Sequence, residues 1–102
     1  MLFLVRATIP VEAGNELVRD PNFGKRMEEV LAAIKPKAVY FAVEGGQRTI
    51  YLVVDGVESA RIPAIVEPLW LSLKAHVDLI PAMSQAEFAK ATRSIEQAAK
   101  KF

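Results

Sequence analysis

The chain contains no cysteine among its 102 residues. This absence excludes disulfide bonds, a thiol nucleophile and thiolate metal ligands. The sequence also contains one histidine, His76, whereas a zinc site needs several nitrogen, sulfur or carboxylate ligands close together. We therefore predict neither a metal nor any other cofactor, and a cysteine-free chain of this kind is expected in the cytoplasm.

Long apolar runs and an excess of one charge are also missing. No stretch approaches the ~20 apolar residues of a membrane span. The apolar run at residues 1–5 meets Arg6 too early to form the core of a signal peptide. Thirteen basic and twelve acidic residues give a formal net charge of +1, and Glu87 and Glu96 are interspersed with the C-terminal lysines. We therefore expect no nucleic-acid partner and no membrane partner.

Four apolar stretches, at residues 2–9, 38–44, 49–54 and 77–82, alternate with segments of helical periodicity. The order strand, helix, strand, strand, helix, strand is the ferredoxin-like βαββαβ arrangement, and one extra helix follows at the C-terminal end. We predict a single α+β domain over residues 1–102. Its four-stranded antiparallel sheet is expected to have the order four-one-three-two, with two helices on one face.

Local signals place the turns and helix ends. Gly45-Gly46 between two apolar strands predicts a tight hairpin, whose two-residue turn puts Glu44 opposite Gln47 and Tyr40 opposite Tyr51. Residues 84–87, Ser-Gln-Ala-Glu, predict a capping box at the start of the last helix.

Two further helix starts are predicted from capping residues. Asp20-Pro21 predicts the start of the first helix, and Ser59 is expected to cap the second. Residues 11–19 contain Gly14-Asn15 and are interpreted as a connecting loop or a short irregular helix.

The alternation of side chains along a strand separates two faces of the predicted sheet. One face is wholly apolar and should lie under the helices. The other carries Leu4, Arg6, Tyr40, Tyr51 and Val53. Exposure of this mixed face to water would leave an apolar patch larger than monomers usually tolerate. We therefore expect a second copy of the chain to cover it and to leave a cleft between the two sheets.

The order of elements, the Gly45-Gly46 turn and the half-polar face resemble the dimeric α+β barrel superfamily. That group includes muconolactone isomerase-like proteins and antibiotic-biosynthesis monooxygenases. Nearly the whole chain is similar to one short uncharacterised family within it, through residues 23–25 (Phe-Gly-Lys), 34–36 (Ile-Lys-Pro), 62–68 (Ile-Pro-Ala-Ile-Val-Glu-Pro) and 81–84 (Pro-Ala-Met-Ser). The resemblance implies a homodimer with facing sheets, and it assigns no catalytic residue.

Four residues are candidates for ligand binding: Arg6, Tyr40, Tyr51 and His76. Arg6 lies in mid-strand, and three interpretations of it are open. It binds a ligand carboxylate, it forms an ion pair with a carboxylate such as Asp78, or it contacts the second copy at the dimer interface. Tyr40 and Tyr51 pack as a cross-strand pair or line an aromatic pocket. His76 acts as a general base or, as is more usual near a helix end, contacts the last helical carbonyls.

Two classes of function follow from this pattern. The first is a small-molecule binder or cofactor-independent enzyme, with an apolar or aromatic ligand between the sheets. The alternative is a non-catalytic dimerisation or interaction module, in which the same face is only a contact surface. In either case the predicted dimer interface consists of Leu4, Tyr40, Tyr51, Val53 and Trp70.

Overall fold

A computed structural model describes residues 1–102 as one four-stranded sheet and four α-helices. The strands are β1 (Leu2–Ile9), β2 (Ala38–Glu44), β3 (Gln47–Val54) and β4 (His76–Ala82). The helices are α1 (Val11–Arg19), α2 (Phe23–Ile34), α3 (Ile62–Leu73), which a 3-10 turn at Ser59–Arg61 precedes, and α4 (Gln85–Lys101). The predicted α+β class with four antiparallel strands is confirmed, and this architecture is compatible with a ferredoxin-like fold.

The sheet has the order β2-β3-β1-β4, and every neighbouring pair is antiparallel. The predicted hairpin register is confirmed, with Tyr40 opposite Tyr51 and Glu44 opposite Gln47. Gly45 and Gly46 have φ angles of 60° and 74°. A tight hairpin turn needs positive φ at both central residues, which glycine adopts without a steric penalty.

The hydrophobic core lies between one face of the sheet and helices α1, α2 and α3. Alternate residues of β1 and β3 point into it, and so does the apolar stripe of α3. Its fully buried members are Val5, Ala7, Ile34, Val54, Ile65, Leu69 and Leu73, with Leu52 almost as completely enclosed. The opposite face of the sheet carries no helix of this chain, and it is called the open face below.

Residues 11–19, for which a connecting loop and a short irregular helix were both expected, form helix α1. Gly14 and Asn15 suggested a loop, yet both contact Arg48 of β3. A Cβ atom at Gly14 would lie 2.6 Å from Arg48 Nη1, and Asn15 Oδ1 accepts hydrogen bonds from Arg48 Nη1 and Nη2 at 3.2 and 3.1 Å. The glycine therefore permits a close tertiary contact within a helix, which local propensity does not reveal.

Two predicted helix starts are also corrected. Asp20 follows the end of α1, and its side chain accepts a hydrogen bond from the backbone N–H of Asn22, so that α2 begins at Phe23. Ser59 opens the 3-10 turn and does not cap α3, which begins at Ile62. In both places a short turn precedes the helix, and the residue that the sequence predicted as the helix cap lies in that turn.

Helix α4 extends away from the rest of the chain. None of its residues is buried, and it makes hardly any contact with the other elements. The chain is 58 Å long, and its radius of gyration of 16.8 Å exceeds the ~13 Å of a compact domain of this length. The predicted capping box is confirmed, since the Glu87 N–H donates to Ser84 Oγ and the Ser84 N–H donates to Glu87 Oε1.

Candidate functional site

A row of polar side chains crosses the open face, with one residue from each strand. Tyr40 of β2 is paired with Tyr51 of β3, Tyr51 with Arg6 of β1, and Arg6 with Asp78 of β4. All four side chains lie on the same face because directly opposite residues of antiparallel strands share a face. We call these four residues the polar row. It brings three of the four candidate ligand-binding residues together.

Arg6 forms an ion pair with Asp78. Its Nε and Nη2 atoms donate to Asp78 Oδ2 at 3.2 and 2.9 Å, and this interaction is the main reason that the pKa of Arg6 is raised. The two side chains remain 39% and 36% exposed, so solvent weakens the attraction, as it does in other surface ion pairs. Of the alternatives for Arg6, the pairing with Asp78 is the one that the structure contains.

Glu44 connects the polar row to the hairpin turn. The Tyr51 hydroxyl donates to this carboxylate, with distances of 2.5 and 2.7 Å to Oε1 and Oε2. The hydrogen bond to Glu44 raises the pKa of Tyr51, and desolvation acts in the same direction. Arg6 Nη1 lies 3.8 Å from Glu44 Oε1. Tyr51 is therefore held as a neutral phenol between a carboxylate and a guanidinium group.

His76 lies at the start of β4, next to Asp78 of the polar row. Its Nε2 atom is 3.7 Å from Asp78 Oδ1, and most of its side chain is exposed. The last carbonyls of α3 accept hydrogen bonds from the backbone N–H groups of Lys74 and Ala75. His76 thus contacts a carboxylate of the open face, and the helix-end contact expected from the sequence is not formed.

A second row, wholly apolar, lies beside the polar row. The strand register places Ala38, Val53, Leu4 and Ile80 side by side across the sheet. We call these four residues the apolar row. Three of them, Leu4, Val53 and Ile80, line a shallow cleft of about 400 Å³ together with the two tyrosines. On the other side of Arg6, the open face is entirely polar over a further volume of about 480 Å³.

The charged side chains around Arg6 carry no excess of positive charge. Arg6 is flanked by Asp78 on one side and by Glu44 on the other. A ligand carboxylate at Arg6 would approach two carboxylates as well as one guanidinium group, and like charges at such distances repel. The open face is therefore better suited to a neutral group with hydrogen-bonding capacity than to an anion.

The predicted interface residues divide between two surfaces. Leu4, Tyr40, Tyr51 and Val53 lie together on the open face. Trp70 is exposed on α3, in the helix layer on the opposite side of the sheet. A single flat contact through the open face would therefore include four of the five residues and leave out Trp70.

Two residues of the site were missed in the sequence. Glu44 was assigned only to the hairpin register, and Ile80 was not singled out. Strand alternation carried a usable signal, because Glu44 has the parity of Tyr40 in β2 and Ile80 has the parity of Asp78 in β4. No sequence pattern of this kind predicts the hydrogen bond that the Tyr51 side chain makes along the sheet to Glu44.

A separate apolar groove lies on the helix side of the sheet, where the helices stop short of β2. It has a volume of about 480 Å³ and is bounded by Val18, Phe23 and Met27 from the helices and by Phe41 and Ile50 from the sheet. Phe41 is largely exposed there although its face of the sheet is the core face. The groove shares no residue with the polar row.

No protein-family model matches the chain, and no curated protein matches it in sequence. No helix of the structure combines the length and the apolar character needed to cross a membrane. No group of three or more His, Asp or Glu side chains is arranged to hold a metal ion.

Proposed function

We propose that the protein is a homodimer of the dimeric α+β barrel type, with two open faces that enclose a cleft for a small apolar or aromatic molecule. The observation that carries this proposal is the direct adjacency of the apolar row and the polar row on an uncovered sheet. Removing the apolar row from water favours the contact by about 25 cal/mol per Å² of apolar surface. Ligand pockets commonly combine such a surface with a few hydrogen-bonding groups.

The free hydrogen-bonding capacity of the polar row suggests the polar part of the ligand. Arg6 uses Nε and Nη2 for Asp78, whereas Nη1 lies beyond hydrogen-bond distance from Glu44. A guanidinium group has five N–H donors, so that Nη1 is available to a ligand acceptor. With carboxylates on both sides, that acceptor is a carbonyl or hydroxyl oxygen rather than a carboxylate.

The apolar part of the ligand would contact Leu4, Val53 and Ile80. The aromatic faces of Tyr40 and Tyr51 border the same cleft. An uncharged aromatic or aliphatic carbonyl compound, or an alcohol, has the required combination of groups. Tyr51 is held protonated by Glu44, which suits a role as a hydrogen-bonding group better than a role as a general base.

One observation favours the alternative, a non-catalytic dimerisation module. Arg6 is already paired with Asp78, and Tyr51 with Glu44, within one chain. Two open faces can therefore close on each other without a ligand to pair these groups. In this alternative, the side chains of the two copies fill the cleft completely.

Native mass spectrometry of the protein purified from its own organism separates the two functions. We expect a dimer with additional bound mass, and the bound mass should be lost when the same sample is denatured. A dimer that carries no additional mass would support the interaction module. A monomer at micromolar concentration would contradict both.

Two variants produced in the same organism localise the bound molecule. Ile80→Trp adds an indole to the apolar row, and we expect it to retain the dimer and lose the bound mass. Leu71→Trp adds the same group to the exposed surface of α3, where it should change neither. Equal retention of the molecule by both variants would place its site outside the cleft.

A further inference from the structure

Helix α4 exposes an apolar stripe that no other part of the chain covers. Phe88 and Ile95 are each 50% exposed and Phe102 is 96% exposed. Together with Ala91 and Ala98, they follow the alternating spacing of three and four residues that is typical of the seam of a coiled coil. Glu, Lys and Arg occupy much of the rest of the helix surface.

We propose that α4 pairs with α4 of a second copy as an antiparallel coiled coil of two helices. The stripe has the spacing of a seam between two paired helices, and its alternating large and small side chains suit a second copy of α4 as the occupant. The first heptad positions are Phe88, Ile95 and Phe102, and the fourth positions are Ala91 and Ala98. The contact lies outside the cleft and does not depend on a ligand there.

Side-chain size favours the antiparallel orientation. First-position residues face fourth-position residues of the other helix in this orientation, so that Phe88 lies opposite Ala98 of the second copy and Ile95 lies opposite Ala91. Every layer then combines a large side chain with a small one, which fills space evenly. A parallel pair would place Phe88 against Phe88 and Ala91 against Ala91, with overcrowded layers next to empty ones.

Charge favours the same register. With Phe88 opposite Ala98 of the second copy, Glu87 lies opposite Lys101 of the second copy, and the two-fold axis repeats this ion pair at the other end. A parallel pair would leave Glu87 facing Thr92 and form no such ion pair. Ser94 lies midway between Glu87 and Lys101, so that it faces Ser94 of the second copy at the two-fold axis.

Single cysteines test the orientation, because the native chain has no cysteine. In Ser94→Cys the two thiols lie on helices about 8–10 Å apart. In Lys101→Cys they are separated along the pair by the length of fourteen residues, about 21 Å. Arg93→Cys places the thiol on the outward side of the helix as a control for random collisions.

We expect a short bismaleimide to cross-link Ser94→Cys to a covalent dimer at least tenfold faster than the other two variants. Equal rates for Ser94→Cys and Lys101→Cys would indicate a parallel pair and overturn the proposal. Equal rates for Ser94→Cys and Arg93→Cys would show that α4 does not pair with itself, and would also overturn it.

A charge reversal tests the register. In the Ser94→Cys background, Lys101→Glu puts two carboxylates opposite each other at both ends of the pair, and cross-linking should become several-fold slower. Lys100→Glu makes the same change of charge in the same helical turn but faces outwards, so it should have little effect. Circular dichroism checks that both variants keep their helix. Equal slowing by the two reversals would contradict the assigned register.

Discussion

At the scale of single residues, strand alternation predicted which side chains share the open face, and the structure adds how they pair. The pairing of Arg6 with Asp78 was one of three interpretations, and the structure contains this pair because the two residues lie directly opposite each other in the sheet. The bond from Tyr51 to Glu44 was not predicted, because it depends on a side-chain rotamer that runs along the sheet. Strand parity is a property of the sequence, whereas side-chain direction is set by the packed neighbours.

The hydrogen bond to Glu44 makes Tyr51 resistant to ionisation. In the variant Tyr40→Phe, Tyr51 is the one remaining tyrosine, and its phenolate absorbance can be titrated alone. We expect a midpoint above the ordinary value of 10.0, since the folded chain raises the pKa of this group. Stability from this hydrogen bond is fully present below the pKa of tyrosine in the unfolded chain, and is lost as pH rises through the raised pKa of the folded chain.

Glu44→Gln in the same Tyr40→Phe background is the matched control. It retains an oxygen acceptor of the same size and removes the negative charge, so the midpoint should fall towards that of an unperturbed tyrosine. A midpoint at or below 10 in the chain with Glu44 intact would show that Tyr51 does not donate to this carboxylate.

At the scale of elements, the segments predicted best are those whose signals are local. The Gly45-Gly46 hairpin and the Ser84–Glu87 capping box need only neighbouring residues, and both are confirmed. For α1 the sequence left a loop and a short irregular helix open, because Gly14 and Asn15 act through Arg48, which is more than thirty positions away. Ser59 shows the converse error, since a residue with the chemistry of a cap opens a 3-10 turn instead.

The capping box should stabilise the first turn of α4 with little effect on the sheet. Ser84→Ala removes the oxygen that accepts the Glu87 N–H, a change that costs about 0.5–2 kcal/mol of helix stability. Because α4 hardly contacts the core, we expect hydrogen exchange at the Glu87 amide to become about 2- to 30-fold faster, while the melting temperature stays nearly constant.

The same box gives this turn a dependence on pH. The hydrogen bonds with Ser84 lower the pKa of Glu87. The stability that the ionised Glu87 gives to this turn is therefore present above the pKa that Glu87 has in the unfolded chain. It is lost as pH falls through the lowered pKa of Glu87 in the folded chain. The difference between Ser84→Ala and the native chain should therefore shrink in acid. Ser59→Ala, which removes a serine that caps no helix, serves as the control. Unchanged exchange at Glu87 in Ser84→Ala would contradict the cap.

At the scale of the whole molecule, three apolar surfaces remain uncovered in one chain: the apolar row, the stripe of α4 and the groove beside β2. The sequence predicted the first because the helices fit on one face of the sheet and leave the other bare. The sequence did not show that α4 extends away from the sheet and the other helices. An amphipathic helix has the same pattern whether it packs on its own sheet or on another chain. That distinction lies in the direction of the chain after Ala82, where β4 ends.

The surface that joins two copies can be identified with one pair of lysine substitutions. Leu4 lies in the apolar row with 41% of its surface exposed, and Leu71 lies on α3, beside Trp70, with 79% exposed. We expect Leu4→Lys to shift the protein from dimer to monomer at micromolar concentration, because two ammonium groups would be buried close to each other in the closed cleft. Leu71→Lys should leave the dimer intact.

Sedimentation velocity reports the mass of each variant, and circular dichroism shows whether Leu4→Lys still folds. If Leu71→Lys dissociates and Leu4→Lys does not, the contact runs through the helix layer and Trp70, and the facing-sheet arrangement is wrong. If Leu4→Lys fails to fold, Ile80→Lys tests the same row from an edge strand, where a charged side chain disturbs the sheet less. A folded Ile80→Lys that remains a dimer when Ile95→Lys also disrupts the stripe of α4 would contradict an interface through the open face, because in that interface Ile80 and Leu4 are neighbours in one apolar row.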